Sequence, residues 1–211
     1  MNEIGQFLPG VLLSLSAVAL ALMSPGPNIM AVIGTSMGVG RPQGIALALG
    51  VGFGTFLWVS LAVLGFTTII SQYAVVMITM KILGGLYLLW LGFKALKSAA
   101  TSKNVQTTCV ELKTNSAYFK RGVAVQMTNP KAALAILAIV SIGANTGAPI
   151  WVGSSLIAGA TLLSVVGHVL YALAFSTAPM VTAYTKARRY IEAAFGAFFT
   201  YMGIRLLTDR S

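Results

Sequence analysis

The sequence predicts an all-α membrane protein, and three observations carry that prediction. Apolar residues make up 57% of the chain and charged residues only 9%, against about 25% charged in soluble domains. The apolar residues gather into runs of roughly 20 or more, the length that crosses a bilayer core. The bases sit chiefly between those runs, where topology accounts for them. The formal net charge of +10 therefore does not imply a nucleic-acid partner, because no aromatic-interleaved basic surface accompanies it.

Six spans follow in chain order. The first covers Phe7 to Thr35 and is long because Met23-Ser24-Pro25-Gly26-Pro27-Asn28 interrupts it. Each proline lacks an amide donor, and its ring clashes with the carbonyl one turn back. With Glu3 its only early charge and no cleavage site, this segment reads as a retained helix and not a signal peptide. The second span covers Gly44 to Ile70. Its Gly50, Gly52 and Gly54 let another helix come close, which suits a repeat interface or the seam of a homodimer. The third covers Val75 to Leu96, and the polar stretch Lys97 to Tyr118 follows it. The fourth covers Gly122 to Ala144, interrupted by Thr128-Asn129-Pro130-Lys131. The fifth covers Ile150 to Val181 and the sixth Tyr190 to Leu207. Cys109, the single cysteine, has no internal disulfide partner.

Lysine and arginine set the orientation. Arg41 lies between spans one and two. Lys94, Lys97, Lys103, Lys113, Lys120 and Arg121 surround the connection between three and four. Lys186, Arg188 and Arg189 lie between five and six, whereas the connections near Ser71 and Asn145 carry no charge. The positive-inside rule places the basic connections in the cytoplasm and both termini on the outer side. Arg205 and Arg210 run against this pattern, partly offset by Asp209, and such side chains snorkel to the interface.

The two halves resemble each other. Gly85-Leu86-Tyr87 through Gly92-Phe93-Lys94 in span three pairs with Gly196-Ala197-Phe198 through Gly203-Ile204-Arg205 in span six. The breaks in spans one and four pair likewise. Residues 1–96 and 120–211 then form two three-helix repeats, joined by a cytoplasmic loop at 97–119. Three is odd, so the repeats have opposite orientations. That is the plan of many secondary transporters, whose sites form at the repeat interface from discontinuous helices.

With Ser24-Pro25-Gly26-Pro27-Asn28 and Asn129-Pro130-Lys131, the chain resembles the LysE/RhtB superfamily of amino-acid exporters. Gly38-Val39-Gly40-Arg41-Pro42-Gln43-Gly44 and Gly84-Gly85-Leu86-Tyr87-Leu88-Leu89-Trp90-Leu91-Gly92 extend the resemblance over essentially the whole chain. It implies six helices in two inverted repeats. It also implies efflux of amino acids or small derivatives, coupled to protons, across a bacterial inner membrane. Ala144-Asn145-Thr146-Gly147-Ala148-Pro149 departs from the Pro-aromatic element that often closes span four in the family.

The expected substrate site comprises Ser24, Pro25, Gly26, Pro27, Asn28, Thr128, Asn129, Pro130 and Lys131. A helix restarting after Pro25 to Pro27 presents free amides and a partial positive charge, which favour an anion such as a substrate carboxylate. The plainer alternative is a kink that only shapes packing. Lys131 lies within an apolar span, where an ammonium costs about 3 kcal/mol on insertion scales, so a substrate carboxylate would suit it as a partner; the alternative is snorkelling. His168, the only histidine, is the candidate for proton coupling, since its ordinary pKa of about 6.5 suits a relay. The alternative is a neutral buried histidine bonded to a carbonyl. Glu192, near Arg188 and Arg189, reads as an interfacial ion pair.

These features favour a secondary transporter for an amino acid or small zwitterion. An enzyme lacks support in the sequence: there is no HExxH motif, no intramembrane carboxylate pair and no ligand cluster for a metal, and no cofactor is implied. A passive channel or uniporter, or a small membrane assembly factor, remains as the alternative.

Overall fold

A computed structural model describes residues 3–23, 26–70, 74–101, 111–143, 147–176 and 178–208. The elements are α1 (Glu3–Ala21), α2 (Pro27–Gly38), α3 (Arg41–Ile70), α4 (Ala74–Ala100), α5 (Asn115–Met127), α6 (Pro130–Gly143), α7 (Ile150–Ala174) and α8 (Ala178–Thr208). The first expected span is thus two helices, α1 and α2, and the fourth is α5 and α6. Among the described residues, Glu3–Ala21, Arg41–Gly65 and Ile150–Ala174 are each long and apolar enough to cross a membrane.

Two boundaries differ from the sequence expectation. The fifth span was expected to reach Val181, but α7 stops at Ala174 and α8 begins at Ala178. Pro179 is the reason: its ring cannot follow a helical carbonyl one turn back, yet it is tolerated in a first turn. Lys186, Arg188 and Arg189 consequently lie inside α8. The long connection is also shorter than expected, since α4 runs on to Ala100 and α5 starts at Asn115. The Thr114 side chain caps α5 by accepting from the Ala117 amide at 3.2 Å.

Lipid is as apolar as leucine, so helices in a bilayer associate through close packing and not through the hydrophobic effect. The glycines show where backbones approach. A Cβ on Gly50 would stand 2.0 Å from the Phe119 carbonyl oxygen, and one on Gly122 would stand 2.1 Å from that of Leu47. These contacts seat α5 on α3, running parallel. Gly54 faces Gln126 of α5 and Gly52 faces Val165 of α7, so this glycine stripe packs helices within the chain. Gly85 lies against Gly203 and Leu207, and Gly92 against Gly196 and Thr200, which makes α4 and α8 an antiparallel pair.

One buried cluster joins α1, α3, α6 and α7 through Val11, Val59, Val140, Val152 and Leu156. A second joins α4, α6 and α8 through Leu88, Phe195, Phe199 and Met202. A third fixes α2, α3 and α5 around Val32, Leu47 and Tyr118. The outer faces carry exposed apolar residues such as Leu64, Phe93, Leu162 and Leu170, as a bilayer requires.

Most of the bases lie at one end of this bundle, with Arg205 in the last turn of α8 towards the other. Arg41, opening α3, donates to Ser176 Oγ after the end of α7. Arg188 of α8 donates to Ser98 Oγ near the end of α4 at 3.0 Å. The expected ion pair forms too, with Arg188 Nε 4.0 Å from Glu192 Oε1.

Candidate functional site

Both broken spans restart in the same way. Gly26 caps α2 in an extended conformation, with Pro27 as the first helical residue, and the Met30 amide donates to the Gly26 carbonyl at 2.9 Å. Asn129 precedes α6, with Pro130 as its first residue, and the amides of Ala132 and Ala133 both donate to the Asn129 carbonyl at 3.1 Å. Proline is suited to this position because its missing amide would have had no intrahelical acceptor. No side chain caps α2, so the amides of its first turn are left to other acceptors. On the preceding side of the break, the Leu22 carbonyl accepts from Tyr171 Oη of α7 at 2.9 Å.

Side chains tie the two breaks together. Asn129 Nδ2 donates to Asn28 Oδ1 at 3.0 Å. Asn28 Nδ2 donates in turn to Gln126 Oε1 of α5. Gln126 Nε2 donates to Thr55 Oγ1 of α3 at 3.0 Å, and Thr55 Oγ1 lies 2.8 Å from Ser164 Oγ of α7. Trp58 Nε1 donates to the Gln126 carbonyl at 3.3 Å. One turn beyond Ser164, His168 Nδ1 lies 2.8 Å from the Ser164 carbonyl oxygen. A carbonyl only accepts, so Nδ1 carries the proton, and in the neutral ring Nε2 holds the lone pair.

Trp58 apart, these residues line one cavity of about 100 Å³. Gly26, Asn28, Thr55, Gln126, Asn129, Ser164 and His168 supply its polar wall, while Val18, Ile29, Ala135, Ile136 and Ile139 supply an apolar one. Among the described residues, its lining includes no carboxylate, and no cluster of metal-ligating side chains occurs. The space can hold a small molecule with polar groups at one side and an aliphatic part at the other.

The model for LysE type translocators matches residues 19–210. The chain belongs to this family. It is 31% identical over 196 residues to the threonine efflux protein of Escherichia coli K12, covering 90% of this chain and 94% of that one. It is 30% identical over 196 residues to the leucine efflux protein of Klebsiella pneumoniae, with 90% and 91% covered. The uncharacterized membrane protein YahN of Escherichia coli K12 is 28% identical over 205 residues, with 96% and 91% covered. No solved structure matches. The resemblance to the LysE/RhtB superfamily of amino-acid exporters is thereby upheld, and with it a bacterial membrane protein.

Of the residues expected at the site of this LysE-type translocator, Gly26, Asn28, Asn129 and His168 line the cavity. Pro27 opens α2 and is exposed. Thr128 is exposed and turns its hydroxyl back to the Ala124 carbonyl at 2.7 Å, so it closes α5 without entering the cavity. Pro130 and Lys131 open α6, and their side chains lie outside the described residues, as do Ser24 and Pro25 altogether. Three cavity residues escaped the sequence reading. Gln126 is the one polar side chain in the run Gly122 to Met127, two residues before the break. Ser164 stands one turn before His168, and Thr55 directly follows the glycine stripe.

Proposed function

We propose that this LysE-type chain exports a small amino acid or related zwitterion from the bacterial cytoplasm, by proton antiport with alternating access. The observation that carries this reading is the Asn129 to Asn28 hydrogen bond, which joins both helix breaks beside one cavity. Two helix starts there favour a carboxylate through their free amides and dipoles. Lys131, second residue of α6, would add a full positive charge. The named activities of the threonine and leucine efflux relatives fit a cavity with one polar and one aliphatic wall.

A six-span inverted repeat is the architecture that goes with this reading. Gly85 and Gly92 of α4 correspond in sequence to Gly196 and Gly203 of α8. The contacts pair Gly85 with Gly203 and Gly92 with Gly196. Exchanging the halves turns one contact into the other, which is what a two-fold axis in the membrane plane requires. Rocking of one repeat against the other would expose the cavity to either side. The basic end of the bundle faces the cytoplasm of an inner-membrane protein, with both termini outside. His168 is the coupling group.

Counterflow and net flux in proteoliposomes test the proposal, with radiolabelled L-threonine and L-leucine as probes. A proton gradient should drive uphill movement of one of them, and a protonophore should abolish it. Flux that only equilibrates, whatever the gradient, would make the chain a uniporter or channel. An absence of flux for amino acids of every class would end the exporter reading.

A further inference from the structure

The buried ring of His168 has one nitrogen occupied and one facing space. Its Nδ1 is bound by the Ser164 carbonyl, the side chain is 4% exposed, and the residue lines the cavity. Nε2 has no partner among the described residues. An acceptor at the cavity wall with no protein partner is open to a donor from whatever the cavity holds. An amino acid brings one, its ammonium group, and at the Asn28 and Asn129 end of the same cavity the helix starts await its carboxylate. The cavity thus carries anion-seeking amides at the breaks and a lone pair on α7.

We propose that His168 Nε2 accepts the substrate's ammonium, so that substrate and proton compete for a single lone pair. This rests on the antiport reading and gives it an atomic form. When substrate enters, Nε2 loses its proton to the open side and the ammonium donates to the freed pair; the proton remains absent while substrate is held. When substrate leaves on the other side, a proton takes its place. In either state one cation stands at this place in the cavity: the imidazolium, or the ammonium of the bound zwitterion. Simultaneous occupancy would set two cations against each other in a space of low dielectric. Exchange then follows from the site itself, without a relay to a second titratable group. From α1, α2, α3, α5 and α6, the described lining residues facing His168 include nothing titratable. On α7 itself, Tyr171 spends its hydroxyl proton on the Leu22 carbonyl.

The test uses the purified full-length protein in detergent, with pH followed by an indicator dye in weak buffer. L-threonine and L-leucine are the ligands, and the 2-hydroxy acid corresponding to leucine is the control that lacks an ammonium. At a pH where His168 is protonated, binding of an amino acid should release close to one proton. Apparent affinity should weaken about tenfold per pH unit on the acid side, as linkage requires. The hydroxy acid should release none. His168→Gln keeps an acceptor oxygen but takes up no proton, so whatever binding it retains should release none, and gradient-driven transport should be lost. Wild-type binding without proton release, or equal release by the hydroxy acid or by His168→Gln, would overturn the proposal. The hydroxy-acid control decides the matter even if the variant does not fold. Should the wild type bind and transport no amino acid, the exporter reading fails first, and that failure is distinct.

Discussion

Gln126 sits at the centre of the site: its side chain accepts from Asn28 and donates to Thr55, and its backbone carbonyl accepts from Trp58. It is 4% exposed, while its partner Asn28 is half-buried at the cavity wall. Gln126→Leu keeps the bulk but takes the acceptor from Asn28 Nδ2, whereas Thr55 Oγ1 keeps the Val51 carbonyl and Ser164 Oγ. It should lower stability by about 1–3 kcal/mol, seen as a reduced Tm in detergent, and should weaken transport as Asn28 loses its position. Lys131 poses a different question, since its charge and not its packing is at issue. Lys131→Ala should abolish flux while leaving Tm and elution volume unchanged; wild-type flux from a well-folded variant would remove Lys131 from the site.

At the scale of helices, the breaks were the most legible part of the molecule. Proline chemistry acts locally, so Pro27 and Pro130 announce two helix starts without any knowledge of what surrounds them. The polar chain through Thr55, Gln126 and Ser164 was hidden for the opposite reason. It depends on α3, α5 and α7 meeting at particular rotations, and nothing local fixes a rotation. Thr128 shows the same limit from the other side: it neighbours the break in sequence, yet its hydroxyl serves its own helix. The glycines of α4 and α8 were legible as a repeated pattern, and only contact revealed them as partners. Gly92→Leu would force a side chain where a Cβ alone already meets the Gly196 carbonyl oxygen at 2.9 Å. A loss of about 1–3 kcal/mol or more is expected, measured as a lower Tm. Gly65→Ala, with nothing within 4 Å of the added carbon, should hold Tm or raise it slightly, as Gly→Ala does in an open helix interior, and serves as the control.

For the molecule as a whole, sidedness is the property to check first, because direction of transport is defined by it. The native Cys109 lies in the connection between α4 and α5 and is the only cysteine, so no engineering is needed. A membrane-impermeant maleimide should label it in everted vesicles and spare it in right-side-out ones; the reverse would place the basic end of the bundle outside. The bond from the Trp58 indole to the Gln126 carbonyl has an optical corollary. It plants a natural fluorophore one hydrogen bond from the spot where the fourth span parts. With Trp90 and Trp151, the other two tryptophans, replaced by phenylalanine, emission should come from Trp58 alone. Its colour should then change as ligand is titrated in, giving a label-free readout of occupancy on the timescale of the transport cycle.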